Sequence, residues 1–295
     1  MRKYPHLIQY YTKFYIISLV IFFGKRYAIY TYRGWKKYWR FNFMKALDAN
    51  WYKSIWSLDI KEQSWVEDTE NQVNFIVSTL KLTGEERILD LACGFGRHTL
   101  ALARRGFQVT GLDITKEFIQ DAIQTANKEG LNAQFINADI RDLHITNEYD
   151  VVLNLADGAI GYLESEDENL KIFNLISNAL KPGGKHFMDI CNAEHAEHYF
   201  PAQYWEAGEN ALSVSRFEWD AEKRIMLFGD DAIVYGEAAK KPNIEYGAPQ
   251  RLYSVEEIQK IWRQLGMEVV QTYSNYYGKD ASYKELQLMV YSRKL

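Results

Sequence analysis

Past residue 50, apolar positions alternate between helical stripes and short continuous runs. Trp51 to Leu80 reads as helix, with Val73, Ile76, Val77 and Leu80 on one face. Thr83-Gly84 breaks it, and Arg87 to Ala92 is an apolar run of strand length. After a turn at Gly94 and Gly96, helical spacing returns over His98 to Arg104 and stops at Gly106. Phe107 to Leu112, Ala133 to Asn137, Tyr149 to Asn154 and Lys185 to Ile190 read as further strands. Helices are expected over Ile114 to Glu129 and Asn169 to Leu180. The second stops at Lys181-Pro-Gly-Gly184, where proline cannot continue and glycine permits the turn. Strand–helix alternation over this length predicts a parallel sheet covered on both faces.

The pattern then changes. Leu212 to Trp219 and Ile225 to Tyr235 alternate as strands around the polar turn Asp220 to Lys223, which predicts an inserted antiparallel hairpin. Helix resumes from Ser254, a cap with Glu257 three residues on, to Leu265 before Gly266. Met267 to Tyr273 and Glu285 to Arg293 are the last predicted strands.

Composition narrows the class. The 295 residues, 47% hydrophobic, suit one large domain or one domain with an insertion. Two cysteines, Cys93 and Cys191, exclude a disulfide scaffold or a cysteine-based zinc domain and fit a reducing compartment. The net charge of −4 hides a split. Residues 1–43 carry nine bases, no acid and 15 of the 44 aromatics, while the remainder holds 26 bases against 39 acids. The apolar run Phe14 to Phe23 is too short to span a bilayer, which takes about 20 residues. No small-residue cleavage site follows it. This leader has three readings: a membrane-surface segment, a nucleic-acid contact, or an extension ahead of a functional start at Met44.

The chemistry concentrates in Asp90-Leu-Ala-Cys-Gly-Phe-Gly-Arg-His98, a glycine turn between strand and helix that lets a ligand approach bare backbone. Asp113 ends the next strand, 23 residues after Asp90, where a carboxylate can take both hydroxyls of a ribose. Asp139 follows the third strand. A dinucleotide loop has a third glycine, but Thr99 stands there, and Asp90 would repel phosphates. S-adenosylmethionine has no phosphate. Its ammonium, ribose hydroxyls and adenine amino group match donors for Asp90, Asp113 and Asp139.

With these residues in view, Asp90-x-Ala-Cys-Gly-x-Gly, Val109-Thr-Gly-Leu-Asp113, Asp139-Ile-Arg141 and Leu180-Lys-Pro-Gly-Gly184 resemble the ordered motifs of class I S-adenosylmethionine-dependent methyltransferases, over roughly residues 60–295. The chain is most similar to the bacterial small-molecule type, with an antiparallel insertion before Arg251-Leu-Tyr253. Ala92 stands for that family's usual first glycine, and Asp157-Gly-Ala-Ile-Gly-Tyr162 departs from its common serine and phenylalanine before Gly-Tyr.

The resemblance implies a Rossmann-like, doubly wound, seven-stranded mostly parallel sheet with an antiparallel layer on the substrate side. With the leader set apart by its composition, the expected division is leader (1–43), N-terminal helix and cofactor-binding core (44–193), inserted cap (194–250) and the core's final helix and strands (251–295). It also implies S-adenosylmethionine contacts from Asp90, Ala92, Cys93, Gly94, Gly96, Arg97, His98, Asp113, Ile114, Asp139, Ile140, Arg141, Asn154 and Leu155. The methyl is already activated on sulfur, so transfer needs alignment, water exclusion and sometimes a proton acceptor. Asp157, then His195, are the candidate catalytic groups. Tyr162, Tyr199, Arg251 and Tyr253 are candidates on the substrate side, and Tyr52, Trp56 and Trp65 for a lid. His195 and His198 share a helical face, but nothing places further metal ligands near them, so no metal site is expected.

Small-molecule methylation on an amine or hydroxyl is the expected function. The acidic body argues against a nucleic-acid partner, although RNA methylation using the leader is an alternative, as is a non-catalytic cofactor-binding protein. The expected location is cytoplasmic, with peripheral membrane contact through residues 1–43 as an option. Oligomeric state is not legible.

Overall fold

The computed structural model describes residues 22–23, 26–28, 43–63, 66–238 and 240–295. Two seven-stranded sheets organise them. The first runs through β4 (Arg87–Leu91), β5 (Gln108–Asp113), β6 (Ala133–Asn137), β7 (Tyr149–Asn154), β8 (Leu180–Cys191), β13 (Met267–Tyr273) and β14 (Gln287–Lys294). Its spatial order is β13-β14-β8-β7-β4-β5-β6, and β14 pairs antiparallel with both neighbours while the β6-to-β8 pairings are parallel. This is the Rossmann-like, mostly parallel arrangement, with strand order reversing between β4 and β7.

The central strands explain themselves. Ile88, Leu89 and Leu91 of β4 and Val151 to Leu153 of β7 have no solvent exposure. Such unbroken apolar runs are what a sheet covered on both faces requires. One face packs Ile172, Phe173 and Ile176 of α4 (Glu166–Ala179) and Ile258 and Trp262 of α6 (Val255–Gln264). The other packs Val73, Ile76 and Leu80 of α1 (Thr69–Leu80) and Ala101 and Leu102 of α2 (Arg97–Arg104). Helix α3 (Lys116–Glu129) ends at Gly130 in the left-handed conformation. Helix α6 opens with a complete capping box, Ser254 and Glu257 each satisfying the other's backbone N–H.

The second sheet combines β1 (Phe22–Phe23), β2 (Arg26–Ala28), β9 (Ala202–Ala207), β10 (Ala211–Asp220), β11 (Ile225–Val234), β12 (Tyr246–Arg251) and β3 (Lys45–Ala46). Short helix α5 (Ala193–Tyr199) leads from β8 into it, and Ala193, Ala196, Phe217, Met226 and Leu252 form the core beneath. The predicted hairpin is thus the centre of a larger sheet, whose β9 and β12 lack the alternation that would reveal them.

The predicted helix from Trp51 to Leu80 is shorter, with α-helix only from Thr69. Trp51–Lys53 and Leu58–Glu62 are separate 3-10 turns. The helical stripe begins only at Val73. Upstream, Trp51 is drawn away to the second sheet, its Nε1 donating to the Pro249 carbonyl at 3.2 Å. Trp65 and most of the leader lie outside the described residues. Among the described residues no helix is long and apolar enough to cross a membrane.

The two sheets meet where Arg251 N donates to the Gly161 carbonyl at 2.8 Å. Gly161 has φ +85°, and an added Cβ would overlap the Arg251 carbonyl. Gly161→Ala is therefore expected to cost about 3 kcal/mol of stability. Urea unfolding measures this, and a wild-type midpoint would refute the contact.

Candidate functional site

The loop from Ala92 to Gly96 turns sharply between β4 and α2. Ala92, Gly94 and Gly96 all have left-handed φ, of 53°, 58° and 78°. At Gly96 a side chain is also excluded by space, since a Cβ would lie 2.8 Å from the Phe135 ring and 3.1 Å from Ala122. The loop is tied to β5 by Cys93 N donating to the Leu112 carbonyl at 2.8 Å. Gly94 N donates to Asp113 Oδ2 at 2.9 Å, and Thr115 N donates to Asp113 Oδ1 at 2.8 Å. Each Asp113 oxygen is thus fixed by one backbone N–H and keeps lone pairs for ligand hydroxyls. A Cβ at Gly94 would meet nothing closer than Phe118 at 4.0 Å, so the backbone there is open to approach.

Asp90 is buried and accepts from Thr99 Oγ1 at 2.7 Å. Burial pushes its carboxyl up to about 6, against the pull of Thr99 and Arg97. Burial also raises Asp113, opposed by its backbone donors, and lifts the Cys93 thiol well above its ordinary range, so Cys93 is a packing residue rather than a nucleophile. Arg97 and His98 turn toward α1. Arg97 Nη1 reaches Thr69 Oγ1 (2.9 Å) and Gln72 Oε1 (2.6 Å), and His98 Nε2 lies 2.8 Å from the same Gln72 oxygen. Gln72, invisible as a site residue in sequence, braces both. Two buried acids, open backbone and a basic residue directed elsewhere fit a cationic, phosphate-free cofactor.

Asp139, the residue expected to meet the adenine, is engaged within the protein by Arg141. Arg141 engages both its oxygens, Nε at 2.9 Å and Nη2 at 2.5 Å, and holds its carboxyl below the usual range. Arg141 also binds Glu164 and Glu168, each at 3.0 Å, and lies 3.3 Å from the Tyr52 hydroxyl. Asp139 first, and then Glu168, push its guanidinium pKa up against the opposing effect of burial. The arginine bridges Glu168 of α4 to Tyr52 of the N-terminal segment, and Tyr52 in turn donates to Glu164, just before α4, at 3.0 Å. Trp51 and Trp56 then lie against the Tyr162 ring, at 4.8 and 6.4 Å between centroids. Ile114 packs into this aromatic cluster, while Ile140 and Leu155 belong to the sheet cores.

Beyond β7 the backbone is strained. Ala156, Asp157, Gly158 and Ala159 have consecutive left-handed φ values of 52°, 70°, 51° and 64°. Each non-glycine residue there costs about 1 kcal/mol or more. The turn holds Asp157 half-buried, with Cys191 N donating to Oδ1 at 3.0 Å and Tyr162 donating to Oδ2 at 3.2 Å. Burial raises its carboxyl, opposed by these donors and by Gln250. Nearby on β8, Asp189 accepts from Tyr276 at 2.7 Å and from Gln287 at 2.9 Å, and burial pushes it up to about 6. Neither Asp189 nor its partners carried a signal in sequence, because they meet only when β14 pairs with β8.

The remaining candidates scatter. Asn154 is buried with its amide on protein groups. His195 is buried, its Nδ1 3.1 Å from the Tyr283 carbonyl, so Nδ1 carries the proton and Nε2 the lone pair. Burial lowers its pKa. Tyr199 packs beside it at 4.7 Å between ring centroids. Arg251 pairs with Glu166 and Glu257 and covers the Tyr253 ring, and Tyr253 is buried with its hydroxyl on Glu166. That pair forms a structural joint between β12 and α4. Among the described residues, no group of three or more His, Cys, Asp or Glu is arranged to hold a metal ion.

The sheet order and the glycine loop closing on an acid at the end of β5 define a Rossmann-like cofactor-binding α/β fold. The methyltransferase-domain family profile matches residues 88–184. The chain is 22% identical over 209 residues, 70% of its length and 84% of the other's, to YqeM of Bacillus subtilis (strain 168), assigned as a methyltransferase. It is 26% identical over 177 residues to glycine/sarcosine N-methyltransferase of Aphanothece halophytica, covering 58% of this chain and 66% of that one. An S-adenosylmethionine-dependent methyltransferase structure from Clostridium acetobutylicum ATCC 824 shares the fold, with a TM-score of 0.65 at 20% identity, over 80% of this chain and 96% of that one. The matched methyltransferase domain, the relatives and the shared fold together support an S-adenosylmethionine-dependent methyltransferase with S-adenosylmethionine as its cofactor.

Asp113→Asn replaces one acceptor oxygen by a donor facing a backbone N–H. It is expected to weaken S-adenosylmethionine binding at least tenfold, about 1.4 kcal/mol. Calorimetry on folded protein checks this, and unchanged affinity would remove Asp113 from the site.

The shift of Asp90 gives a pH prediction. Its folded pKa, about 6, exceeds the ordinary 3.8, so its contribution to stability is fully present below 3.8 and is lost as pH rises through 6. Cofactor binding should run the other way. Affinity is expected to fall as pH drops from 7.5 to 5, and Asp90→Asn to flatten that dependence. A pH-independent wild type would exclude Asp90 from the cofactor's charged groups.

Proposed function

We propose that this methyltransferase acts on an amine or hydroxyl of a small molecule, with Asp157 as the acceptor's proton acceptor or anchor. The observation that carries this reading is the state of Asp157. It is a half-buried carboxylate on a strained turn, held by the neutral donors Cys191 N, Tyr162 and Gln250. Burial raises its proton affinity, as a general base requires. The glycine/sarcosine relative, which by its name methylates a small amine, supports the same acceptor class.

S-adenosylmethionine supplies an electrophilic methyl on a sulfonium, already activated for in-line displacement. The chain's own residues have three tasks. Asp90 and Asp113 bind the cofactor's polar groups. The aromatic cluster of Trp51, Trp56, Tyr52 and Tyr162 excludes water from the methyl-transfer site. Asp157 Oδ takes the proton that the acceptor releases. His195, with its Nε2 lone pair, is the second candidate for that proton.

The acidic body makes RNA a weaker candidate than a small molecule, and the basic leader is what an RNA reading would need. Labelled methyl transfer from S-adenosylmethionine to panels of small amines, small hydroxyl compounds and RNA separates these readings and also tests for a non-catalytic protein. Asp157→Asn is expected to lower kcat about 100-fold with cofactor affinity unchanged, and His195→Gln less than fivefold. Label entering RNA alone would overturn the small-molecule reading. The reverse order of the two variants would move the proton to His195.

A further inference from the structure

Two fully buried polar side chains connect to the turn that carries Asp157: His186, and Asn154, a sequence candidate for cofactor contact whose side-chain amide is engaged by protein groups. Asn154 ends β7. Its Nδ2 donates to the Gly158 carbonyl at 2.9 Å, inside the left-handed turn. Its Oδ1 therefore faces His186 Nε2, 3.3 Å away, and Nε2 carries the proton. Burial keeps this imidazole neutral, its pKa pushed down to about 3. The Trp262 ring meets the His186 ring edge-on at 5.3 Å and fixes its plane from the side of α6. The approach is close as well as polar. A Cβ on Gly158 would lie 2.7 Å from the Asn154 Cβ and 2.9 Å from its backbone.

Three of the four residues of the turn, Ala156, Asp157 and Ala159, carry side chains in a backbone region that disfavours them. Such a turn persists only when its surroundings over-determine it. We propose that His186 and Asn154 are positioning residues, which pin the left-handed turn through the Gly158 carbonyl and so hold Asp157 against Tyr162 and the Cys191 N–H. The catalytic consequence rests on the reading of Asp157 as proton acceptor, but the pinning does not.

The test follows the Asp157 carboxyl by 13C NMR titration, with its signal assigned by its loss in Asp157→Asn. Tm, S-adenosylmethionine affinity and methyl transfer to the small-amine panel are measured alongside. Released to water, Asp157 loses the burial that raises it. His186→Leu and Asn154→Ala are expected to lower its midpoint toward the ordinary 3.8 and to reduce turnover about tenfold, with cofactor affinity kept within about threefold. His186→Gln retains an N–H donor and should keep the wild-type midpoint. Ala156→Gly removes strain from the turn and should partly restore the midpoint in His186→Leu, a rescue that packing alone would not produce. If His186→Leu does not fold, Asn154→Ser gives the same readout.

An unchanged Asp157 midpoint in variants that only lose Tm would overturn the proposal. So would a Gln variant as damaging as Leu. If Asp157→Asn left methyl transfer intact, the proton-acceptor reading would fail, while the NMR titration would still decide the pinning.

Discussion

The hydrogen bonds from Gly94 and Thr115 to Asp113 are the constraint around which the molecule is arranged. They close the turn after β4 onto the end of β5 and let a buried carboxylate stay satisfied without a cation. Because the acceptor is a side chain at a strand end, the loop must pass close to the sheet edge. That forces left-handed backbone at Ala92, Gly94 and Gly96 and forbids a side chain at Gly96. The same edge then brings bare backbone and two acidic side chains together, which is the chemistry a sulfonium-bearing, phosphate-free cofactor needs.

A second set of contacts ties the N-terminal segment to the end of the sheet. Arg141 gathers Asp139, Glu164, Glu168 and the Tyr52 hydroxyl, so a motif that marks a strand end also fastens the segment before α1. Tyr162 lies between that aromatic segment and Asp157. Opposite, Asp157 N donates to the Asp189 carbonyl, and Asp189 is itself held by β14. The strained turn is therefore gripped from several elements at once, which explains how side-chain-bearing residues keep a left-handed geometry there.

How far the sequence could be read depended on distance along the chain. Signals confined to one element were legible: the apolar runs of β4 and β7, the capping box at Ser254, and the glycine loop with Asp113 23 residues on. Helical spacing over Val73 to Leu80 was real, but it did not extend back to Trp51, whose partner is Pro249 on the other sheet. β9 and β12 have weak local patterns and owe their state to strands already in place. Arg251 and Tyr253 read as substrate-side residues because their motif follows the insertion, yet folding turns them onto Glu166 and Glu257.

Local sequence determined the parallel core, the placement of acids at strand ends and the absence of a phosphate-type loop, because each is set by periodicity, turn chemistry or residue type within a few positions. Tertiary structure alone decided which acids remain open. Asp139 is taken by Arg141, Asp189 is claimed by Tyr276 and Gln287, and Asp157 is presented on a turn pinned by Asn154 and His186. Whether a carboxylate is spent on a neighbour or left for a ligand depends on groups brought within hydrogen-bonding distance from 87 or 98 residues away, as for Asp189. No local pattern encodes that encounter.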